Sequence, residues 1–224
     1  MYLDNYYYYF SKAFNDKFCD SIKEIAKNKT FDKGVVSKKK AEMKDSNHQF
    51  KKNLSLRDSD ICWINEPWIY DCIYPLLQEA NKMADWNYEV DCFEDLQFTR
   101  YKKNQHYDWH FDNLAMPFNN PSDPSIHGKY RKISFSINLS DPKKYEGGQL
   151  LFEFPGAEEN KIVECVQLKE KGSIVFFPSF IKHKVTPITK GERNSLVGWS
   201  MGYPFKWANN LDIRYFEMSY QKIF

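Results

Sequence analysis

The feature that most constrains this chain is a change of period. Up to about residue 87 the apolar residues recur every three or four positions. From about residue 88 they fall into short alternating runs, rich in β-branched and aromatic side chains and separated by Gly, Pro and Asn clusters. A helical period buries a stripe and a period of two buries a face, so helices are expected first and a sheet after them. Phe10, Phe14, Phe18, Ile22 and Ile25 predict a helix over 11–28 that starts near Ser11 or Asn15. Ile69, Ile73, Leu76, Leu77 and Ala80 predict a second over 67–86, with Pro67 in its first turn. Strands are expected at 94–102, 131–140, 148–154, 161–168, 173–177, 183–188 and 193–201. Short strands behind two helices imply a jelly-roll or barrel-like sandwich supported from outside.

The chain has 224 residues, which suits one buried core, and no repeat or long linker divides it. One domain over 1–224 is therefore expected, with helical support over about 1–87, a β core over about 88–203 and a tail over 204–224. In the tail Leu211, Ile213, Phe216, Met218 and Tyr220 can form a last docked helix. The Lys-, Asp-, Asn- and Ser-rich stretch 36–52 shows no period and reads as a surface loop or weak strand.

Lys+Arg 32 against Asp+Glu 30 leaves a net charge of +2, which supplies no broad positive field for nucleic acid or an acidic membrane. Five cysteines without a C-x-x-C pair support neither a disulfide framework nor a zinc ribbon. The opening MYLDNYYYYFSKAF lacks a basic segment followed by an apolar one, and no apolar run approaches the roughly 18 residues of a membrane span. A soluble, cytoplasmic protein is expected, without nucleic-acid or membrane partners; oligomeric state is not legible.

The chemistry concentrates in RYKKNQHYDWHFDN, residues 100–113. It holds two overlapping H-x-D tripeptides, His106-Tyr107-Asp108 and His110-Phe111-Asp112. In extended backbone residues i and i+2 point the same way, so either tripeptide can offer an imidazole and a carboxylate to one metal ion. A third ligand from a distant strand would complete a two-histidine, one-carboxylate triad, which leaves positions open on Fe(II). His183, the sole histidine beyond residue 127, follows an apolar strand and supplies that candidate. A lone H-x-D tripeptide is most often a surface histidine beside a solvated carboxylate; its context adds the weight. After a turn at Gly191, Arg193, Ser195, Val197 and Trp199 share one face of a strand. There an arginine can take a carboxylate through a bidentate pair, with a serine hydroxyl adding a hydrogen bond. The plainer reading of Arg193 is a surface salt bridge.

Taken together the residues resemble the prolyl 4-hydroxylase-like branch of the Fe(II) and 2-oxoglutarate dependent oxygenases. The likeness runs over about 97–202 through Tyr101, Tyr107-Asp108-Trp109-His110-Phe111-Asp112, Gly147-Gly148-Gln149-Leu150, Phe176-Phe177-Pro178, His183-Lys184-Val185, Pro187, Gly191, Arg193 and Trp199. The resemblance implies a mainly β fold with a double-stranded β-helix (jelly roll) core. It decides between the tripeptides, because Tyr107 and Tyr101 fall at the family's positions only if His110 is the ligand. It implies Fe(II) on His110, Asp112 and His183, with 2-oxoglutarate as cosubstrate held by Tyr101, Arg193, Ser195 and Asn138. It also implies ascorbate as a reductant and a substrate pocket lined by Trp199 and Trp109, with Phe111 and His127 as further candidates. His106 becomes a neighbour of the site.

One departure stands out: the family's glycine after the first tyrosine is absent, and Asn104 holds a place where its tolerance of left-handed backbone can substitute. Asp112 separates the chain from the superfamily's halogenases, which lack that carboxylate. The implied reaction is hydroxylation of a C–H bond with O2, releasing succinate and CO2. The implied substrate is peptidyl proline, or alternatively a free amino acid or other small molecule, so that partners are a peptide, a protein or a small molecule. Two other readings are a non-catalytic metal-binding jelly-roll module and a zinc hydrolase. The turn-rich stretch 114–130 is a candidate flap, and equally a loop without a role.

Overall fold

The computed structural model describes residues 5–34, 54–113, 115–155 and 160–205; the expectations for 36–52 and for a last helix over 211–220 lie outside them. In chain order the elements are β1 (Tyr8–Phe10), α1 (Asp16–Lys27), β2 (Asp32–Lys33), β3 (Arg57–Asp58), β4 (Asp60–Ile64), α2 (Pro67–Met83), β5 (Cys92–Phe93), β6 (Leu96–Tyr101), β7 (His106–His110) and β8 (Tyr130–Asn138). There follow β9 (Tyr145–Gly147), β10 (Leu150–Phe154), β11 (Lys161–Glu164), β12 (Ile174–Pro178), β13 (Lys182–Val185), β14 (Ile188–Gly191) and β15 (Arg193–Gly202). Two antiparallel sheets make a jelly roll, and β9 and β14 pair as a separate two-stranded sheet. The larger runs β1-β12-β8-β15-β6-β4-β2, with β5 also on β15, and the smaller runs β11-β10-β13-β7-β3.

Alternation along β8 explains the layering. Ile133, Phe135 and Ile137 are fully buried against the helices, together with Ile22 of α1 and Ile69 and Ile73 of α2. Truncating a phenylalanine as enclosed as Phe135 to alanine costs about 3–5 kcal/mol. The intervening Ser134, Ser136 and Asn138 face the other sheet. Register carries that polar face across the sheet: Trp199 lies beside Ser134, Val197 beside Gln97 and Ser136, Ser195 beside Thr99 and Asn138, and Arg193 beside Tyr101. An inner face this polar is a lining, because groups of this kind without partners are costly in a dry core. The dry end of the sandwich is elsewhere, where Leu150, Phe152, Phe154, Val175, Phe177 and Ile181 pack together. Tyr6 and Tyr7 stack over that end, on Phe154 at 4.4 Å and on Phe152 at 5.1 Å.

Both expected helices form. Asn15 caps α1 by accepting from the Phe18 N–H at 2.9 Å, and Pro67 opens α2. The differences are local. The expected strand 161–168 stops at Glu164 and gives way to a 3₁₀ turn, Val166–Lys169. The expected strand 183–188 is two strands, because Pro187 has no N–H for a ladder and separates β13 from β14. The stretch expected to be helical support also supplies β1 to β4. These are two to five residues long and are strands by virtue of the sheet edges they join.

Candidate metal centre

β7 and β13 are hydrogen-bonded neighbours, and their register sets His110 directly opposite His183. A register shift follows, with Val185 opposite Tyr107, so that Tyr107 and His110 both turn inward despite their odd spacing. Asp112 lies just beyond β7; its N–H and that of Asn113 both bond the Ser179 carbonyl, at 3.0 and 2.9 Å. The ligand atoms of His110, Asp112 and His183 consequently lie within 4.8 Å of one another. Asp112 is 7 % exposed and His183 5 %, so this is a buried cluster.

Proton placement follows from hydrogen-bond chemistry. His110 Nδ1 sits 2.7 Å from the Asp108 carbonyl and His183 Nδ1 sits 2.8 Å from the Ile181 carbonyl. A carbonyl only accepts, so each Nδ1 carries a hydrogen, and a neutral imidazole held that way presents its lone pair at Nε2. The two Nε2 atoms face the two Asp112 oxygens, His110 Nε2 at 3.7 Å from Oδ1 and His183 Nε2 at 3.5 Å from Oδ2. Burial and the neighbouring His183 push His110 down to about 3, so its imidazole is neutral at neutral pH. Burial raises the Asp112 carboxyl, but His183, His110 and Arg131 outweigh it and hold the group below its ordinary range. Two imidazole nitrogens and a carboxylate converging on one point form the donor set of a non-haem Fe(II) site, and the residues fit that ion.

A second charged group marks the other end of the lining. Arg193 is 3 % exposed, yet among the described residues its guanidinium has no hydrogen-bond or ion-pair partner. A buried cation left this way calls for an anion. Gly148, at φ +66, makes room for it: a Cβ there would stand 3.0 Å from Arg193 Cδ and 2.5 Å from Ile188 Cδ1. Ser195, 1 % exposed, has a hydroxyl without a partner among the described residues. Tyr101 is 3 % exposed, and burial pushes its phenol up, so it stays a proton donor. Tyr101 feels the charges of both Arg193 and Asp112, which places it between the two ends. These residues fit the distal carboxylate of 2-oxoglutarate.

Other expected residues are placed differently. The Asn138 amide is committed to the Lys169 carbonyl at 2.7 Å, the Ser140 carbonyl at 3.1 Å and the Tyr145 hydroxyl at 3.2 Å, while its oxygen accepts from Ser140 N–H. Its role is to knit loops around the lining, since its donors are already used. Trp109 turns to the outer face of the small sheet, between Lys182 at 5.6 Å and Lys184 at 4.7 Å, because these lysines alternate with the inward His183. Phe111 is 50 % exposed, and His127 accepts from Asn120 N–H within the loop after Asp112. Both ring nitrogens of His106 lie against backbone carbonyls, those of Asn104 and Ser55, so it faces away from the cluster. Trp199 is 5 % exposed, with the Arg131 guanidinium 3.9 Å over its ring. Asn104 adopts φ 69, the left-handed backbone expected of it.

Sequence reasoning missed Arg131 and Glu94. The Arg131 guanidinium lies 3.9 Å over the Trp199 ring, bonds both Glu94 oxygens at 2.5 and 2.6 Å, and reaches the Asp112 carbonyl at 3.4 Å. A register shift between Ser200 and Met201 sends Arg131 inward against simple alternation, and no local pattern announces it.

Fold and site together define a jelly roll built around a two-histidine, one-carboxylate cluster. The profile of the 2OG-Fe(II) oxygenase superfamily matches residues 96–201, a little under half of the chain. It is 36% identical over 102 residues to a PKHD-type hydroxylase of Alteromonas mediterranea, covering 46% of this chain and 41% of that protein. It is 40% identical over 86 residues to a PKHD-type hydroxylase of Parvibaculum lavamentivorans, covering 38% and 36%. The matches thus span less than half the length of these curated relatives. In fold it is similar to a Trichoplax adhaerens prolyl hydroxylase solved with a hypoxia inducible factor peptide fragment, with TM-score 0.62, 18% identity and coverage of 88% and 84%. It is also similar to the viral collagen prolyl hydroxylase of Paramecium Bursaria Chlorella virus-1, with TM-score 0.55, 20% identity and coverage of 89% and 97%.

No helix among the described residues is long and apolar enough to cross a membrane.

Proposed function

We propose that this chain is a 2-oxoglutarate-dependent dioxygenase that hydroxylates a C–H bond, with His110, Asp112 and His183 as its iron ligands. The observation that carries the reading is the pairing of a converging donor set with a buried arginine that has no anion among the described residues. Bound Fe(II) supplies the oxidative chemistry, by which 2-oxoglutarate and O2 become succinate and CO2 and one oxygen atom enters the substrate. The chain's own residues bind, orient and exclude. Arg193, Ser195 and Tyr101 hold the distal carboxylate, and the apolar end around Phe152 and Phe177 keeps water from the back of the cluster. The phenylalanine rings also pack on His183, Phe177 at 4.7 Å between ring centres.

For substrate we propose a peptidyl proline. Trp199 and the half-open Trp63, their rings 6.3 Å apart, form an aromatic wall on which an apolar ring can lie. The titles of the structural neighbours, prolyl hydroxylases of collagen and of a hypoxia inducible factor peptide, support that class. The test supplies Fe(II), 2-oxoglutarate, ascorbate and labelled O2 with proline-containing peptides or free proline, and reads succinate and product mass. Succinate together with a labelled oxygen in the peptide is expected. Labelled free proline alone would move the substrate to the small-molecule class. Absence of succinate from folded, iron-loaded protein would leave a non-catalytic metal-binding module.

A further inference from the structure

Arg57 lies outside the stretch 96–201 that carries the family match, yet it reaches the metal cluster's edge. It is 6 % exposed, and β3 brings it directly opposite Tyr107 of β7. Its Nε donates to Ser59 Oγ at 2.9 Å and its Nη2 donates to Gln97 Oε1 at 2.5 Å. The guanidinium lies over the Tyr107 ring, Cζ 4.5 Å from the ring centre. Tyr107 in turn lies flat on His110, with ring centres 3.4 Å apart and planes 8° apart. Behind the arginine, Gly34 has no Cβ; one added there would collide with Arg57 Nε and Ser59 Oγ. Guanidinium, phenol and imidazole therefore form one stack, clamped from behind by Gly34.

The stack does what the hydrogen bond at Nδ1 cannot. That bond to the Asp108 carbonyl fixes one atom of the imidazole and leaves the ring free to rock about it. A flat contact on the ring face removes the rocking, provided the contacting ring is itself held. Tyr107 is held by a cation on its far face, and Gln97 anchors that cation to β6, the strand whose end pairs Tyr101 with Arg193. We propose that Arg57 is a positioning residue for the metal centre, setting the plane of the His110 imidazole through Tyr107. The proposal rests on the reading of His110 as a ligand. Partners at this remove from a metal are worth about 10–100-fold in metal affinity or activity.

The test uses metal-free protein and cobalt(II) as the probe. In Arg57→Met we expect cobalt affinity to fall by about tenfold. The visible cobalt bands should change, and the ring-current shift of the His110 Cε1 proton should relax in the metal-free protein, with circular dichroism unchanged. Arg57→Lys, which keeps the charge but loses the planar fork, should fall between wild type and Arg57→Met. In a Tyr107→Leu background Arg57→Met should have no further effect on cobalt. Wild-type cobalt affinity and an unmoved His110 resonance in both Arg57 variants would overturn the proposal and leave Arg57 a strand clamp. Should Arg57→Met fail to fold, Arg57→Lys decides on the same two readouts. Wild-type protein that takes up no cobalt would overturn the metal centre itself. That result is distinct from failure of the stack alone, in which wild type and variants bind cobalt equally.

Discussion

Asp112 Oδ2 and His183 Nε2 stand 3.5 Å apart, while the other ring nitrogen of His183, Nδ1, lies 2.8 Å from the Ile181 carbonyl. When the imidazole is neutral with its hydrogen at Nδ1, Nε2 and Oδ2 meet as two lone pairs, and a cation between them turns repulsion into coordination. The geometry is that of a ligand set.

Arg193 follows the same logic with the sign reversed. Arg193→Met is expected to weaken 2-oxoglutarate binding by about 10–100-fold, the value of a charge-assisted pair. The same change removes a buried cation that has no partner among the described residues, so the ligand-free protein should melt a few degrees higher. Calorimetric melts with and without 2-oxoglutarate separate the effects; a variant that is both less stable and normal in binding would show that the arginine is structural.

Acid should weaken the metal-free fold. The folded His110 titrates at about 3 against an ordinary 6.5, so between those values the unfolded chain binds more protons and stability falls as pH falls. The slope from this residue approaches about 1.4 kcal/mol per pH unit. The Asp112 carboxyl, held below its ordinary 3.8, adds a further loss at lower pH. Urea unfolding of metal-free protein at a series of pH values measures it, and His110→Leu should flatten the upper part of the curve.

Asn104 carries the turn between β6 and β7 at φ 69, and its N–H bonds the Ile188 carbonyl at 2.8 Å. Asn104→Gly should be tolerated, whereas Asn104→Val should cost about 1–2 kcal/mol, because a branched side chain clashes in left-handed backbone. Thermal melts of the two variants test the claim, and equal stability would refute it.

How much of this was legible in the sequence depended on how local each cause is. The helices, the β12 and β15 strands and the triad carry their signal in periodicity, caps and the His110-Phe111-Asp112 spacing, and each stands where it was expected. Arg131 went the other way, because a register shift in β8 decides which side chain turns inward and a shift arises from pairing between distant strands, whereas Trp109 follows plain alternation beside the inward His110. Asn138 was misread for a related reason: its amide is occupied by the 3₁₀ turn at Lys169, which itself replaced an expected strand. Arg57 could not be found at all from its neighbours in sequence, since its meaning comes from Tyr107 and Gln97 across two sheets.

The most direct measurement is an anaerobic titration of the metal-free protein with Fe(II) and then 2-oxoglutarate, followed by visible absorption. A weak charge-transfer band should rise only when both are present, vanish in His110→Ala and in Asp112→Ala, and require more 2-oxoglutarate in Arg193→Met. No band from folded wild-type protein that has bound iron would contradict the account of the site.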